Sequence, residues 1–306
     1  MKKVLLSGMI VGVFLVSIVT YVITSDQENT ISSGVKKTID RTVEIPNDFQ
    51  IFSNLKDVKK FVSDEKIFNG VVPQDYWNDV SEGKIKHDKV TLLKKPQLSE
   101  LYKKLQYDEN LEKKIVIVMP TLTALAYSEP GFYTYYRGEC DTSCLTIPLT
   151  YLPFLDFQSS VKAVQVFDLL GYERISDIEI DVNPDILKKY DKVVLLHSEY
   201  VTKKMFDVIT NHPNVIYLLP NALYAEIEIN YDENSIKLIR GHGYPDQSIL
   251  NGFDWQYDNT RPYEFDTDCK DWEFYEIDNG YMLNCYPENL IARKTGIELL
   301  MKLKEF

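Results

Sequence analysis

The chain has 306 residues, 44% of them apolar, which is enough for one sizeable domain with accessories and ordinary for a globular fold. Acidic side chains outnumber basic ones by 46 to 34, giving a formal charge of −12. That balance, with no basic patch, excludes a nucleic-acid backbone as partner.

Residues 4–23 carry no charge and follow Lys2 and Lys3. A helix of that length crosses the ~30 Å hydrocarbon core, and the lysines hold its N-terminus in the cytoplasm. The alternative, a cleaved signal peptide, calls for a shorter apolar run and a small-x-small cleavage site. The sequence therefore predicts a single-pass anchor over residues 1–25, with the rest of the chain extracytoplasmic. Residues 26–50 are polar and aperiodic and read as a tether.

Residues 51–112 read as a small α-rich accessory segment. Ser53 can cap a helix bearing Leu55, Val58, Phe61 and Val62, residues 89–93 suit a short strand, and 97–105 suit another helix. No chemical motif is visible there.

From residue 113 onward the pattern is α/β. The run Ile-Val-Ile-Val-Met ending at Pro120 predicts the first strand of a sheet covered on both faces. A long tyrosine-rich loop with Tyr127, Tyr133, Tyr135 and Tyr136 comes next. Ala163, Val166, Phe167 and Leu170 mark a helix stopped by Gly171, and residues 175–181 alternate like an edge strand. Residues 192–196 and 215–219 are unbroken apolar runs flanking a helix that Thr202 can cap and His212-Pro213 can stop. Strand, helix, strand is a βαβ unit whose ligands bind at the carboxyl ends of the strands. Further on, residues 235–240, 272–277 and 281–285 predict short strands, with Asp278-Asn279-Gly280 as a hairpin signal, before a helix from about Glu288 packs back through Ile297, Leu300 and Met301. The expected fold is thus a mostly parallel sheet with helices on both faces over residues 113–306, carrying a β-rich C-terminal extension.

Cys140, Cys144, Cys269 and Cys285 all lie on the exported side of the predicted anchor. An even count there suggests disulfides, the simplest pairing being local, 140 with 144 and 269 with 285. A zinc site from the four thiolates is the alternative, but the spacing is not that of known zinc ligands.

On a strand and its extension, residues i and i+2 share a face, so His197 and Glu199 should point together and Ser198 away. That placement argues against a Ser-His-Glu triad built from neighbours. The absence of a cysteine at a strand end argues against glutaminase chemistry.

Three motifs recur in order across residues 115–229. They are Pro-Thr-Leu-Thr-Ala-Leu-Ala-Tyr at 120–127, His-Ser-Glu-Tyr at 197–200 and Asn-Ala-Leu-Tyr at 221–224. In this the chain resembles the C-terminal domain family of the N,N-dimethylformamidase large (beta) subunit. It differs from that family at Val201, at Ala124-Leu125 and at His212-Pro213-Asn214. The resemblance implies a glutamine amidotransferase-like (flavodoxin-like) fold and a mononuclear iron held by two tyrosines and a glutamate. By motif, Tyr127 and Glu199 would be metal ligands and His197 a neighbouring proton handler. The second tyrosine would be Tyr133 or Tyr135, and Tyr200 and Asn221 would be outer partners. The implied activity is metal-dependent hydrolysis of a small-molecule amide. The alternative is a non-catalytic cell-envelope binding or structural protein that keeps the fold. Neither a substrate nor a partner subunit is named by the sequence.

Overall fold

The computed structural model describes residues 58–61, 65–73, 91–108, 110, 113–150, 160–287 and 290–306. The predicted anchor and tether lie outside those residues. Among the described residues no helix is long and apolar enough to cross a membrane.

Strands are numbered in chain order: β1 (Val58–Phe61), β2 (Phe68–Pro73), β3 (Thr91–Lys94), β4 (Ile115–Met119), β5 (Thr146–Pro148), β6 (Glu173–Ser176), β7 (Lys192–Leu195), β8 (Tyr200–Thr202), β9 (Val215–Tyr217), β10 (Ala225–Asn230), β11 (Ser235–Arg240), β12 (Phe274–Ile277) and β13 (Gly280–Leu283). The helices are α1 (Ser99–Leu105), α2 (Thr121–Ala126), α3 (Phe132–Tyr136), α4 (Val161–Leu169), α5 (Asp177–Val182), α6 (Lys203–Thr210), α7 (Thr260–Tyr263) and α8 (Gly296–Glu305).

The central sheet has six strands in the order β12-β13-β9-β7-β4-β6. Every pairing from β13 to β6 is parallel, and only the edge hairpin β12–β13 is antiparallel. The chain leaves β4 for β6 on one side and then returns to β7 on the other. That reversal is a topological switch point, the place where sheets of this kind bind ligands beyond the carboxyl ends of the strands, here β4 and β7.

Alternation along the strands sorts their side chains onto two packed faces. Val116, Val118, Val193, Leu195, Val215 and Tyr217 meet Leu122, Ile178, Met205 and Ile209 of α2, α5 and α6. Ile115, Ile117, Val194 and Ile216 meet Val164 and Phe167 of α4 and Leu299, Leu300 and Leu303 of α8 on the other. Burial on both faces explains why these strands read as unbroken apolar runs. A second sheet of four strands, β5-β11-β10-β8, packs into the first of these clusters.

The βαβ unit forms as the sequence predicts. The Thr202 hydroxyl accepts from the Met205 N–H at 3.2 Å and starts α6, and Gly171 at φ 79° ends the α4 segment. Both local disulfides are present, Cys140–Cys144 and Cys269–Cys285.

Four expectations are corrected. Among the described residues of the accessory segment, β1, β2 and β3 form a three-stranded antiparallel sheet, with α1 as a helix. In place of the helix expected around Val58 and Phe61, β1 pairs antiparallel with β2, the next strand in the chain, so that cross-strand backbone bonds replace those the helical spacing suggested. The stretch 175–181 leaves the sheet at Ser176 and becomes α5. The Ser176 hydroxyl and the Glu179 carboxylate cap α5 reciprocally, a local signal stronger than the alternation. The last two of the C-terminal strands are not an extension either: the β12–β13 hairpin completes the central sheet beside β9. Gly280 permits that approach, since a Cβ there would sit 1.9 Å from the Val215 carbonyl oxygen. Finally, α8 begins at Gly296, after a 3-10 turn at Leu290–Ala292, and packs through Leu299, Leu300 and Leu303 while Met301 is exposed.

Candidate functional site

The site is built from the segments that succeed β4 and β7. After Met119 the chain passes Pro120 into α2, whose C-terminal neighbour is Tyr127. The fold binds this turn to the next strand: the Leu122 N–H donates to Asp177 Oδ2 at 3.0 Å and the Thr121 and Ser176 hydroxyls meet at 2.9 Å. After β7 the chain continues through His197, Ser198 and Glu199 into β8. Here Thr123 is the fixing group, its hydroxyl oxygen accepting from the Glu199 N–H at 2.9 Å and the Tyr200 N–H at 3.2 Å. The Glu199 carbonyl accepts from the N–H groups of Tyr224 and Ala225 at 2.9 and 3.0 Å. The Glu199 backbone is therefore held from both sides.

Its side chain is fully buried and receives the Tyr127 hydroxyl on Oε2 at 2.7 Å. The Tyr133 hydroxyl in turn donates to Tyr127 Oη at 2.7 Å, and the two rings stack with centroids 4.2 Å apart. His197 Nε2 lies 3.7 Å from the same Oε2. Ser198 contributes no hydrogen bond from its buried hydroxyl, so no hydroxyl–imidazole pair is formed.

Sequence reasoning missed three members of the cluster. Thr123 anchors Glu199. Tyr136 presents a buried hydroxyl with no partner among the described residues, as does Tyr200. His242 reaches in from the β11 end, its Nε2 3.4 Å from Tyr133 Oη and 3.9 Å from Glu199 Oε1, with its ring over Tyr136 at 4.1 Å. Its signal was the Gly-His-Gly sequence, which marks a left-handed turn but not where that turn points.

Of the expected residues, Tyr127, Tyr133, Glu199 and His197 come together. Tyr135 packs its ring on Tyr136 and Tyr244 and takes no part in the hydrogen-bonded chain. Asn221 adopts φ 64° and turns its amide toward Glu264 at 3.5 Å.

The electrostatics are those of a buried, oxygen-rich cluster. Burial pushes the Glu199 carboxyl up to about 8, against the Tyr127 hydroxyl and with the Glu264 charge adding to it. Burial lowers His197 to about 3, so its 3.7 Å contact with Glu199 is not an ion pair; the imidazole is neutral. Burial and then the Glu199 charge hold Tyr127, Tyr133, Tyr136 and Tyr200 above the usual phenol range. Burial also depresses His242. Glu199 Oε1 and both His197 ring nitrogens are buried without a hydrogen-bond partner among the described residues. Unpaired buried polar atoms cost free energy, and their convergence here marks the cluster as built for something that satisfies them.

The donor set suits a hard cation. Phenol and carboxylate oxygens 2.7 Å apart are close enough to share one ion after losing their protons, and Glu199 Oε1 is free to join them. No three His, Cys, Asp or Glu side chains form such a group among the described residues, so any ion here depends on the tyrosines.

Fold and site together define a mixed α/β protein with a tyrosine–glutamate cluster at its switch point. No protein-family model matches the chain, and no curated protein matches it.

Proposed function

We propose that this chain is a membrane-anchored, extracytoplasmic hydrolase of a small amide. In this reading it has a glutamine amidotransferase-like fold, with Tyr127, Tyr133 and Glu199 holding a metal that the N,N-dimethylformamidase resemblance makes iron. The observation that carries it is the continuous chain from Tyr133 through Tyr127 to the buried Glu199 carboxylate, two contacts of 2.7 Å beyond the carboxyl ends of β4 and β7. The two disulfides support an oxidising compartment, as the predicted topology requires.

Held by these residues, such an ion would supply Lewis acidity toward an amide carbonyl and toward a nearby water. The protein's own groups do the rest. Tyr127 and Tyr133 would have to give up their protons to hold the ion, which their burial resists unless a cation compensates. His197, neutral and with free ring nitrogens beside Glu199, is placed to take a proton from the attacking water and return it to the departing nitrogen. The buried Tyr136 and Tyr200 hydroxyls beside this chain could donate to a substrate oxygen.

The test is metal analysis of the full-length protein in detergent, after incubation with ferrous iron and desalting under air. Stoichiometric iron is expected, with a phenolate-to-iron absorption band lost in Tyr127→Phe and Tyr133→Phe. Protein that retains no iron and shows no band would exclude the reading and leave a non-catalytic envelope protein.

A further inference from the structure

We infer that His242 is a fourth donor at this site, its Nε2 closing a ring of ligands begun by Glu199, Tyr127 and Tyr133. The inference rests on the metal reading of the site and departs from the donor set that the resemblance implies.

The ring can be followed atom by atom. Glu199 Oε2 lies 2.7 Å from Tyr127 Oη, which lies 2.7 Å from Tyr133 Oη. Tyr133 Oη is 3.4 Å from His242 Nε2, which faces Glu199 Oε1 at 3.9 Å. The circuit thus returns to the carboxylate where it began, on the oxygen that has no hydrogen-bond partner among the described residues. Donors held about 2.0–2.2 Å from one ion stand roughly 3.0–3.5 Å apart, so each of these separations is a small adjustment from a shared ion. His197 does not share this arrangement. It lies beside Oε2, the oxygen already taken by Tyr127, and makes no hydrogen bond to a tyrosine hydroxyl.

The backbone shows how His242 is held there. It adopts φ 54°, between Gly241 at 112° and Gly243 at 79°. Left-handed conformations are disfavoured for residues with a Cβ and persist where the surroundings impose them. Here the His242 N–H donates to the Leu250 carbonyl and the Gly243 N–H to the Ile249 carbonyl, both at 2.7 Å. Gly241 cannot be replaced freely, since a Cβ would lie 2.9 Å from Ala225 Cα, Gly252 N and the Tyr224 carbonyl oxygen. A ring that only packed against Tyr136 could be delivered from an unstrained turn. This turn instead fixes a nitrogen facing the orphaned carboxylate oxygen.

The test uses Cu2+ as a spectroscopic probe on the full-length protein in detergent. A phenolate-to-copper absorption band reports that the ion sits among the tyrosines, and pulsed EPR reports imidazole nitrogen coupling. Wild type and His197→Gln should show both signals. His242→Gln should keep the band, lose the nitrogen coupling and bind Cu2+ at least ~10-fold more weakly. His242→Ala should regain the coupling on addition of free imidazole, which separates lost ligation from lost folding. A band without nitrogen coupling in wild type, or coupling that survives in His242→Gln, overturns the role of His242 and leaves the tyrosine–glutamate site standing. Absence of the band in wild type overturns both.

Discussion

Tyr127 donates its hydroxyl to Glu199 Oε2 at 2.7 Å, and in doing so it joins the carboxyl ends of β4 and β7, neighbours in the sheet but 72 residues apart in the chain. Neither partner is free to swing away. Tyr127 is stacked on Tyr133, and the Glu199 backbone is gripped by Thr123 and by Tyr224 and Ala225. The contact is therefore a property of the fold, set where parallel α/β sheets place their ligands.

Tyr127→Phe removes the hydroxyl that donates to the buried carboxylate at 2.7 Å. The metal-free protein should lose about 1–3 kcal/mol, the cost of leaving a buried acceptor unpaired. The loss should be larger at pH 9, where Glu199 is ionised, than at pH 6. Urea unfolding at the two pH values checks this, and equal losses would mean the hydroxyl does not serve the carboxylate.

Thr123 makes a second, separable prediction. Its oxygen serves two buried N–H groups, of Glu199 and Tyr200. Thr123→Val keeps the shape but orphans both, and should cost about 1–3 kcal/mol for each group left unpaired. Thr123→Ser keeps the acceptor and should recover most of that stability. Metal affinity should fall in Thr123→Val and return in Thr123→Ser, because Glu199 is aimed by its backbone.

What the sequence disclosed and what it hid divide along one line. The β7–α6–β9 unit was legible because its capping, periodicity and apolar runs are local, and the shared direction of His197 and Glu199 comes from the period of an extended chain. The insertion of β13 beside β9 and the arrival of His242 at Glu199 were not legible, because each depends on a partner far along the chain. Residues 175–181 failed differently. They contain a strand and a capping box in sequence, and the alternation masked the change from one to the other. Choosing between Tyr133 and Tyr135 needed the orientation of α3, which five residues of nearly uniform aromatic sequence do not encode.

The disulfides should differ in weight. Cys269 and Cys285 are buried in the second core cluster and close a span of 16 residues, whereas Cys140 and Cys144 are half-buried and only 4 apart. Replacing the first pair by serine should cost about 3 kcal/mol through loop entropy, with a further loss from placing hydroxyls in an apolar core. Replacing the second pair should cost clearly less. Thermal unfolding of the two double variants decides it, and equal losses would mean that neither loop closure nor burial sets the contribution.

The pH dependence arises from two buried carboxyls. Burial raises Asp177 to about 7 and Glu199 to about 8, from ordinary values of 3.8 and 4.5. In both cases the folded chain keeps a proton that the unfolded chain has already released, so folding is linked to proton uptake between those limits. The stabilisation is fully present below about pH 4, declines as pH rises, and is gone above about pH 8. Metal-free protein should therefore unfold more readily at pH 8.5 than at pH 5. Asp177→Asn should flatten the lower part of that decline and Glu199→Gln the upper part. Metal should reverse the trend, because a ligand set of one carboxylate and two phenols must shed protons to bind, and affinity then rises with pH. Denaturant midpoints across pH 5–9, with and without added iron, test both halves; a metal-free profile that rises through this range would refute the assignment of the buried protons.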